Sequence, residues 1–440
     1  MSTRNIFPRF GVLFIAAFIC MSLGCGVQAE KTVLLRIGGG SEQDPGLGAL
    51  VDRFSDINGD DCPEIIAASV SEDFKTSINV YSGRNGALIY RLDNERDQYT
   101  TRAFSVLTDF NGDDIPEIAV LGTEVKRGLS VFSGKDGTAL YTVNENLFFD
   151  HYDASRILVV PDKNDDGVQD FALRQLKRGL IVFSGKDGSK IKEFDRPRKL
   201  SEHVRYNRTP DIDGDGFSDI IRIRRVHLQI GPQTLKATER IAFLSSADFG
   251  PIGEPFDIEF SREPDVLRCT DVNGDGMPDV IATNPAGGLP DGKGSVLQAI
   301  SGKDGSEIWR VNGTETEKAS RKGDAATETD KENPSFADVN FGETITLLPD
   351  INGDGVAEIA TGHPELSNKK LGTVGRIYIF SGKDGTVLRT LFTPRGSSPI
   401  GTSVAGFTDW NGDGTSDILA GVPAVGNDKE QGGAILILSL

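Results

Sequence analysis

Oxygen-bearing side chains recur in this chain at one fixed spacing. The segment Asp56-Ile-Asn-Gly-Asp-Asp-Cys-Pro-Glu64 carries them at its first, third, fifth and ninth positions, and segments beginning at Asp109, Asp162, Asp211, Asp271, Asp350 and Asp409 repeat the pattern D-x-[ND]-x-D-[GD]-x-x-[DE]. Position three is Asn58, Asn111, Asn164, Asp213, Asn273, Asn352 and Asn411; position five is Asp60, Asp113, Asp166, Asp215, Asp275, Asp354 and Asp413; position nine is Glu64, Glu117, Asp170, Asp219, Asp279, Glu358 and Asp417. At position seven the side chain varies freely, so the backbone carbonyl is the donor expected from Cys62, Ile115, Val168, Phe217, Met277, Val356 and Thr415. Hard oxygen donors from one tight loop suit Ca²⁺, which takes 6–8 oxygens in flexible geometry, better than Mg²⁺, which demands a strict octahedron and keeps its waters. Zinc would call for His or Cys at these positions. Up to seven Ca²⁺ ions are therefore expected. Gly at positions four and six lets the backbone curl around an ion; Asp165 at position four of the third loop, and Asp61 and Asp114 at position six of the first two, depart from that rule.

An EF-hand is excluded, because its twelfth position must be a bidentate Glu between helices. Here that position is Ala67, Val120, Leu173, Arg222, Ala282, Thr361 and Ala420, and the flanks read as strands. The loops start 53, 53, 49, 60, 79 and 59 residues apart. Most units continue with an apolar strand and a hairpin signal: Ser-Gly-Arg-Asn-Gly86, then Ser-Gly-Lys-Asp-Gly ending at Gly137, Gly188, Gly305 and Gly385. The fourth unit has Leu244-Ser-Ser-Ala-Asp-Phe249 instead. The Gly-Lys pair is no phosphate loop, since Asp and not Ser or Thr follows the Lys. Strand, metal loop, strand, variable loop, strand, hairpin, strand, repeated seven times, describes an all-β, seven-bladed propeller of four-stranded blades over 30–440. The last unit stops at its third strand, Gly432 to Leu440, while Lys31 to Ile37 precedes the first loop unassigned, so this N-terminal strand is expected to complete the last blade.

On these residues the chain resembles the FG-GAP/VCBS family of calcium-loop repeats, as in the head of integrin α chains and many secreted bacterial proteins. The resemblance spans about 31–440. The family's Gly-x-Pro appears as Gly362-His-Pro364 and Gly421-Val-Pro423, with Asn284-Pro285 as a weaker echo, and its Phe-Gly pair as Phe341-Gly342. The resemblance implies that calcium is structural, on one face, and that partners bind the opposite face, built from the loops between strands 2 and 3 and between successive blades. The longest of these, 312–341 between blades 5 and 6, is polar and nearly without apolar residues.

Residues 1–29 read as a signal peptide: Arg4 and Arg9 precede an apolar stretch, Gly11 to Leu23, and Val27-Gln28-Ala29 is a small-residue cleavage signal. Export to the cell exterior or periplasm follows, free or attached to the surface, with no membrane span after cleavage. The formal charge of −18 argues against nucleic acid as partner. The expected function is a secreted, monomeric, calcium-binding scaffold for adhesion or for binding an extracellular protein or glycan. It is not expected to be an enzyme: the four His residues fall in four units without a shared motif, and the metal loops account for the paired carboxylates. The alternatives are a polysaccharide lyase or hydrolase on a propeller scaffold, and a lectin. A lectin should show matched aromatics, and Trp309 and Trp410 fall at non-equivalent places.

Overall fold

The computed structural model describes residues 26–28, 32–38, 46–70, 75–97, 104–122, 128–143, 157–175, 179–194, 204–229, 235–258, 266–284, 295–313, 341–342, 344–363, 375–392, 400–423 and 432–440. They form seven antiparallel four-stranded blades in a ring. Blade 1 runs Leu50–Arg53, Ile65–Val70, Lys75–Tyr81 and Leu88–Asp97 from the axis outward. Blades 2 to 6 repeat that order. In blade 7 the sequence supplies only Ser403–Gly406, Ile418–Val422 and Ala434–Leu438. Its outer strand is Val33–Gly38, antiparallel to Ala434–Leu438, so the two ends of the ring share one sheet as the sequence predicts. Gly26–Gln28, within the expected leader, adds a parallel fifth strand to the outer edge of blade 6, against Thr390 to Phe392. No helix among the described residues is long and apolar enough to cross a membrane. The remainder of the expected leader, and 314–340 of the long polar loop, lie outside the described residues.

The second and third strands alternate side chains to both faces of a blade, so each blade needs a neighbour on each side. Buried apolar side chains accordingly form seven clusters among the described residues, one at each junction. The cluster between blades 5 and 6 seats Phe341, fully buried against Tyr378 and Phe380, while the following Gly342 has φ +85° and donates its N–H to Gly362 O. A Cβ on Gly362 would lie 1.9 Å from Gly401 O, and one on Gly421 1.9 Å from Gly48 O. The Gly-x-Pro glycines thus permit backbone contact between blades 6 and 7 and between blades 7 and 1.

A second device links neighbours. Tyr90 of blade 1 donates its hydroxyl to Gly134 O in the hairpin of blade 2, Tyr141 of blade 2 to Gly185 O of blade 3 at 2.6 Å, and Trp309 of blade 5 its Nε1–H to Gly382 O of blade 6 at 2.8 Å. Trp410 reaches the equivalent carbonyl, Gly83 O of blade 1, at 2.8 Å from inside the seventh metal loop. The two tryptophans are unmatched in sequence yet perform the same task in space.

Candidate metal centre

Each acidic loop joins the axial strand of its blade to the second strand. Its first Asp holds the loop closed: Asp271 accepts the N–H of Gly274 at 2.7 Å and of Gly276 at 2.9 Å, and Asp56, Asp109, Asp211, Asp350 and Asp409 accept from the same two positions. In the third loop Asp162 accepts from Asn164 and Gly167. The Gly167 N–H on Asp162 and the Gly355 N–H on Asp350 hold these carboxyls below their ordinary value. Positions four and six both take positive φ. Glycine does so without cost, and where the sequence departs from glycine the backbone still conforms, with Asp61 at +63°, Asp114 at +66° and Asp165 at +60°. The position-five carboxylates accept the N–H of position seven, at 2.8–3.0 Å for all of Cys62, Ile115, Val168, Phe217, Met277, Val356 and Thr415.

The ninth position is where the loop meets the blade. Glu64, Glu117, Asp170, Asp219, Asp279, Glu358 and Asp417 all have 0% exposure. Their oxygens receive N–H groups from position two of the loop, as from Ile212 to Asp219 at 2.7 Å and from Trp410 to Asp417 at 2.8 Å. In four blades they also receive one from the hairpin that closes strands 3 and 4: Gly83, Gly185, Ser246 and Gly302 at 3.0–3.1 Å. This hairpin spans six residues rather than two; in blade 1 Gly86 N–H donates to Ser82 O and Ser82 N–H to Ala87 O, both at 2.8 Å. Its first glycine is dictated by the metal loop. A Cβ on Gly83, Gly134, Gly185, Gly302 or Gly382 would lie 1.9–2.0 Å from the carbonyl of the loop's eighth residue. Burial raises the pKa of all seven ninth-position carboxyls, that of Glu117 to about 7.

The residues fit a hard cation. Carboxylate oxygens of Asp109, Asp113 and Glu117 lie within 4.8 Å of one another, as do those of Asp211, Asp213 and Asp215. Two buried ninth-position oxygens, Glu358 Oε2 and Asp417 Oδ1, have no hydrogen-bond partner among the described residues. A carboxylate offers about four acceptor sites, so an oxygen holding one N–H can still ligate. A cation would satisfy these acceptors and offset the burial of a carboxylate that is otherwise destabilised as an anion. The first, third, fifth and ninth positions named from the sequence share each loop. What the sequence reading missed is the hairpin's share in the site: Ser82, Ser184 and Ser381 point their hydroxyls at the fifth-position Asp60, Asp166 and Asp354 from 3.1–3.4 Å. The Ser-Gly pair before each Lys-Asp-Gly or Arg-Asn-Gly carried that signal. Of the histidines, His363 is buried edge-on to Phe341, His227 lies in the second strand of blade 4, and His151 and His203 lie outside the described residues.

Residues 269–297 match the FG-GAP repeat family, from the axial strand of blade 5 through its metal loop into its third strand. Over 184 residues the chain is 30% identical to a phosphatidylinositol-glycan-specific phospholipase D of Dictyostelium discoideum, an alignment covering 39% of this chain and 19% of that protein. The chain thus spans about a fifth of the length of that curated relative. Two crystal structures of BBS1N in complex with ARL6DN, soaked with lead or mercury, superpose with a TM-score of 0.50 at 11% and 9% identity, covering 92% and 94% of this chain and 95% and 98% of theirs. At that identity they show the shared fold alone. The phospholipase D relative corrects one expectation: the reading of this chain as not an enzyme is overturned, because part of it is shared with a protein named for a catalytic activity. That shared part, 19% of the relative, is too little to carry the activity over. What the match and the geometry establish together is a seven-bladed β-propeller with an FG-GAP repeat in its fifth blade.

Proposed function

We propose that this chain is a calcium-loaded, integrin-like propeller, exported from the cell, that binds an extracellular protein or glycan. The observation that supports the calcium reading is the set of seven fully buried ninth-position carboxylates, two of them with orphaned oxygens, each at the junction of a metal loop and its blade. Each ion would be held by positions one, three, five and nine and the carbonyl of position seven. Its role is structural: an ion that binds only the folded chain adds RT ln(1 + [L]/Kd) of stability per site. Partner binding is assigned to the face opposite the metal loops, including 312–341. Because the matched relative is named for phosphatidylinositol-glycan, glycan-bearing surface ligands are the first class to screen. The test is native mass spectrometry during a calcium titration, paired with thermal unfolding in calcium and in EDTA. Uptake of several ions with a large rise in Tm is expected. A Tm unmoved by EDTA would overturn the reading.

A further inference from the structure

The junction of blades 3 and 4 departs from its neighbours. Between blades 2 and 3, Tyr141 rests on Gly188, and between blades 4 and 5, Phe256 rests on Gly305. In the hairpin of blade 4 the place of those glycines is taken by Phe249, at φ +63°. A bulky residue at positive φ is a conformational outlier, and such strain gathers at binding sites. The Phe249 ring packs on Phe194, from the outer strand of blade 3, with 4.2 Å between ring centroids. Lys163 lies over the first of these rings and Lys192 over the second.

This packing borders a cavity of about 240 Å³. Leu180 and Phe194 of blade 3 and Tyr206, Leu244 and Phe249 of blade 4 form its apolar wall. The half-buried Arg222 and the exposed Asp248 line it as well. Leu180, Tyr206 and Leu244 are buried, so the cavity is apolar within and carries a carboxylate at its mouth. One oxygen of Asp248 accepts the N–H of Gly250 at 2.7 Å, and the carboxylate interacts electrostatically with Lys163. A carboxylate offers about four acceptor positions, so Asp248 keeps room for a further donor. A cavity of about 150 Å³ with aliphatic and aromatic walls holds benzene. The larger space here has room for a fused bicyclic ring or a substituted benzene.

We propose that this cavity binds an uncharged aromatic ring bearing one N–H or O–H donor, an indole or a phenol. The ring lies against Phe194, Tyr206 and Phe249, which offer edge and offset contacts, and its polar tip donates to Asp248 at the mouth. An anionic ligand would meet the like charge of Asp248, and a cationic one those of Arg222 and Lys163, which leaves the neutral ring as the complement. A free indole and the tryptophan side chain of a partner carry the same chemistry. The site does not rest on the metal reading.

The experiment uses the full chain in calcium and follows 5-fluoroindole by fluorine NMR. Saturable one-to-one binding with a Kd below about 1 mM is expected. 1-Methyl-5-fluoroindole keeps the ring and loses the donor, and should bind at least about threefold more weakly. Asp248→Ala should weaken 5-fluoroindole to that level and leave the methylated compound unchanged. Leu244→Phe fills the cavity and should abolish binding of both, while Arg310→Gln, on the outer strand of blade 5, should change neither. If Leu244→Phe does not fold, as judged by circular dichroism, the exposed Asp248 and the methylated compound still decide. The N-acetyl amide of 5-fluorotryptophan distinguishes the source: binding like 5-fluoroindole means a partner's side chain, and no binding means a free ring. Absence of saturable 5-fluoroindole binding, or equal binding of the methylated compound, or equal binding by the wild type and Asp248→Ala, would overturn the proposal.

Discussion

At the scale of single residues, the loops pair strain with unneutralised charge. Asp61, Asp114 and Asp165 are exposed and hold positive φ where the other loops use glycine. A left-handed non-glycine residue costs roughly 1–2 kcal/mol, less for Asp, and glycine's greater freedom in the unfolded chain returns part of the gain. Asp61→Gly, Asp114→Gly and Asp165→Gly should each stabilise the protein by about 0.5–1 kcal/mol, read from urea unfolding. The departures were visible in the sequence, but whether the backbone gives way at them is decided by the first-position Asp, which draws the fourth- and sixth-position N–H groups inward in the first two loops. Glu117 sets a pH dependence. Its carboxyl is raised to about 7 by burial, above the ordinary 4.5, so the stability it contributes is complete below pH 4.5 and is lost as the pH climbs through 7. In EDTA, Tm should fall between pH 5 and 7.5. Glu117→Gln should flatten that slope, and so should calcium, which favours the anion.

At the scale of elements, the hairpin and the metal loop form one unit. Gly185→Ala would drive a Cβ into Gln169 O, now 2.0 Å from that position, and break the N–H to Asp170. A loss of about 2–4 kcal/mol is expected, with weaker calcium uptake at the third loop alone. The Ser-Gly-Lys-Asp-Gly hairpins were legible because the last glycine is a turn signal in its own right. The first glycine was not, because its cause is a carbonyl 16 to 25 residues away in the sequence. The junction of blades 3 and 4 inverts the rule. At four junctions an outer-strand aromatic, Tyr90, Tyr141, Phe256 or Trp309, rests on the last glycine of the next hairpin, and at the junction of blades 7 and 1 Ile37 does so on Gly86. Here Lys192 stands in the aromatic's place and Phe249, at φ +63°, in the glycine's. Phe249 packs on Phe194 at 4.2 Å and receives Lys163 over its ring, beside a cavity of about 240 Å³ also lined by Tyr206, Arg222 and Asp248. Lys192→Tyr should crowd the junction and Phe249→Gly should hollow it, each costing about 1–3 kcal/mol. Together they should restore the common pattern and lose less than either alone, a coupling that a double-mutant cycle measures.

At the scale of the whole molecule, blade count and closure were legible because both are matters of counting. Seven loops define seven units, and a strand missing at one end matches an unassigned strand at the other. The contacts between blades were not legible, since an aromatic in one unit answers a carbonyl in the next, and Trp410 answers it from an unrelated place in its repeat. Closure has a measurable consequence. Val33–Gly38 covers the whole edge of Ala434–Leu438, and Ile37 is buried in the cluster between blades 7 and 1. Removing 31–38 leaves a fully apolar strand, Ala-Ile-Leu-Ile-Leu, as an open edge beside a depleted core, the arrangement most prone to pair with another chain. The shortened protein should lose at least about 3 kcal/mol and elute as dimers or larger species in size-exclusion chromatography. A synthetic peptide of residues 31–38 supplied in excess should return it to the monomer, because the edge needs the strand and not its covalent link. A shortened protein that stays monomeric at unchanged Tm would mean that the ring is held by its blade-to-blade cores alone.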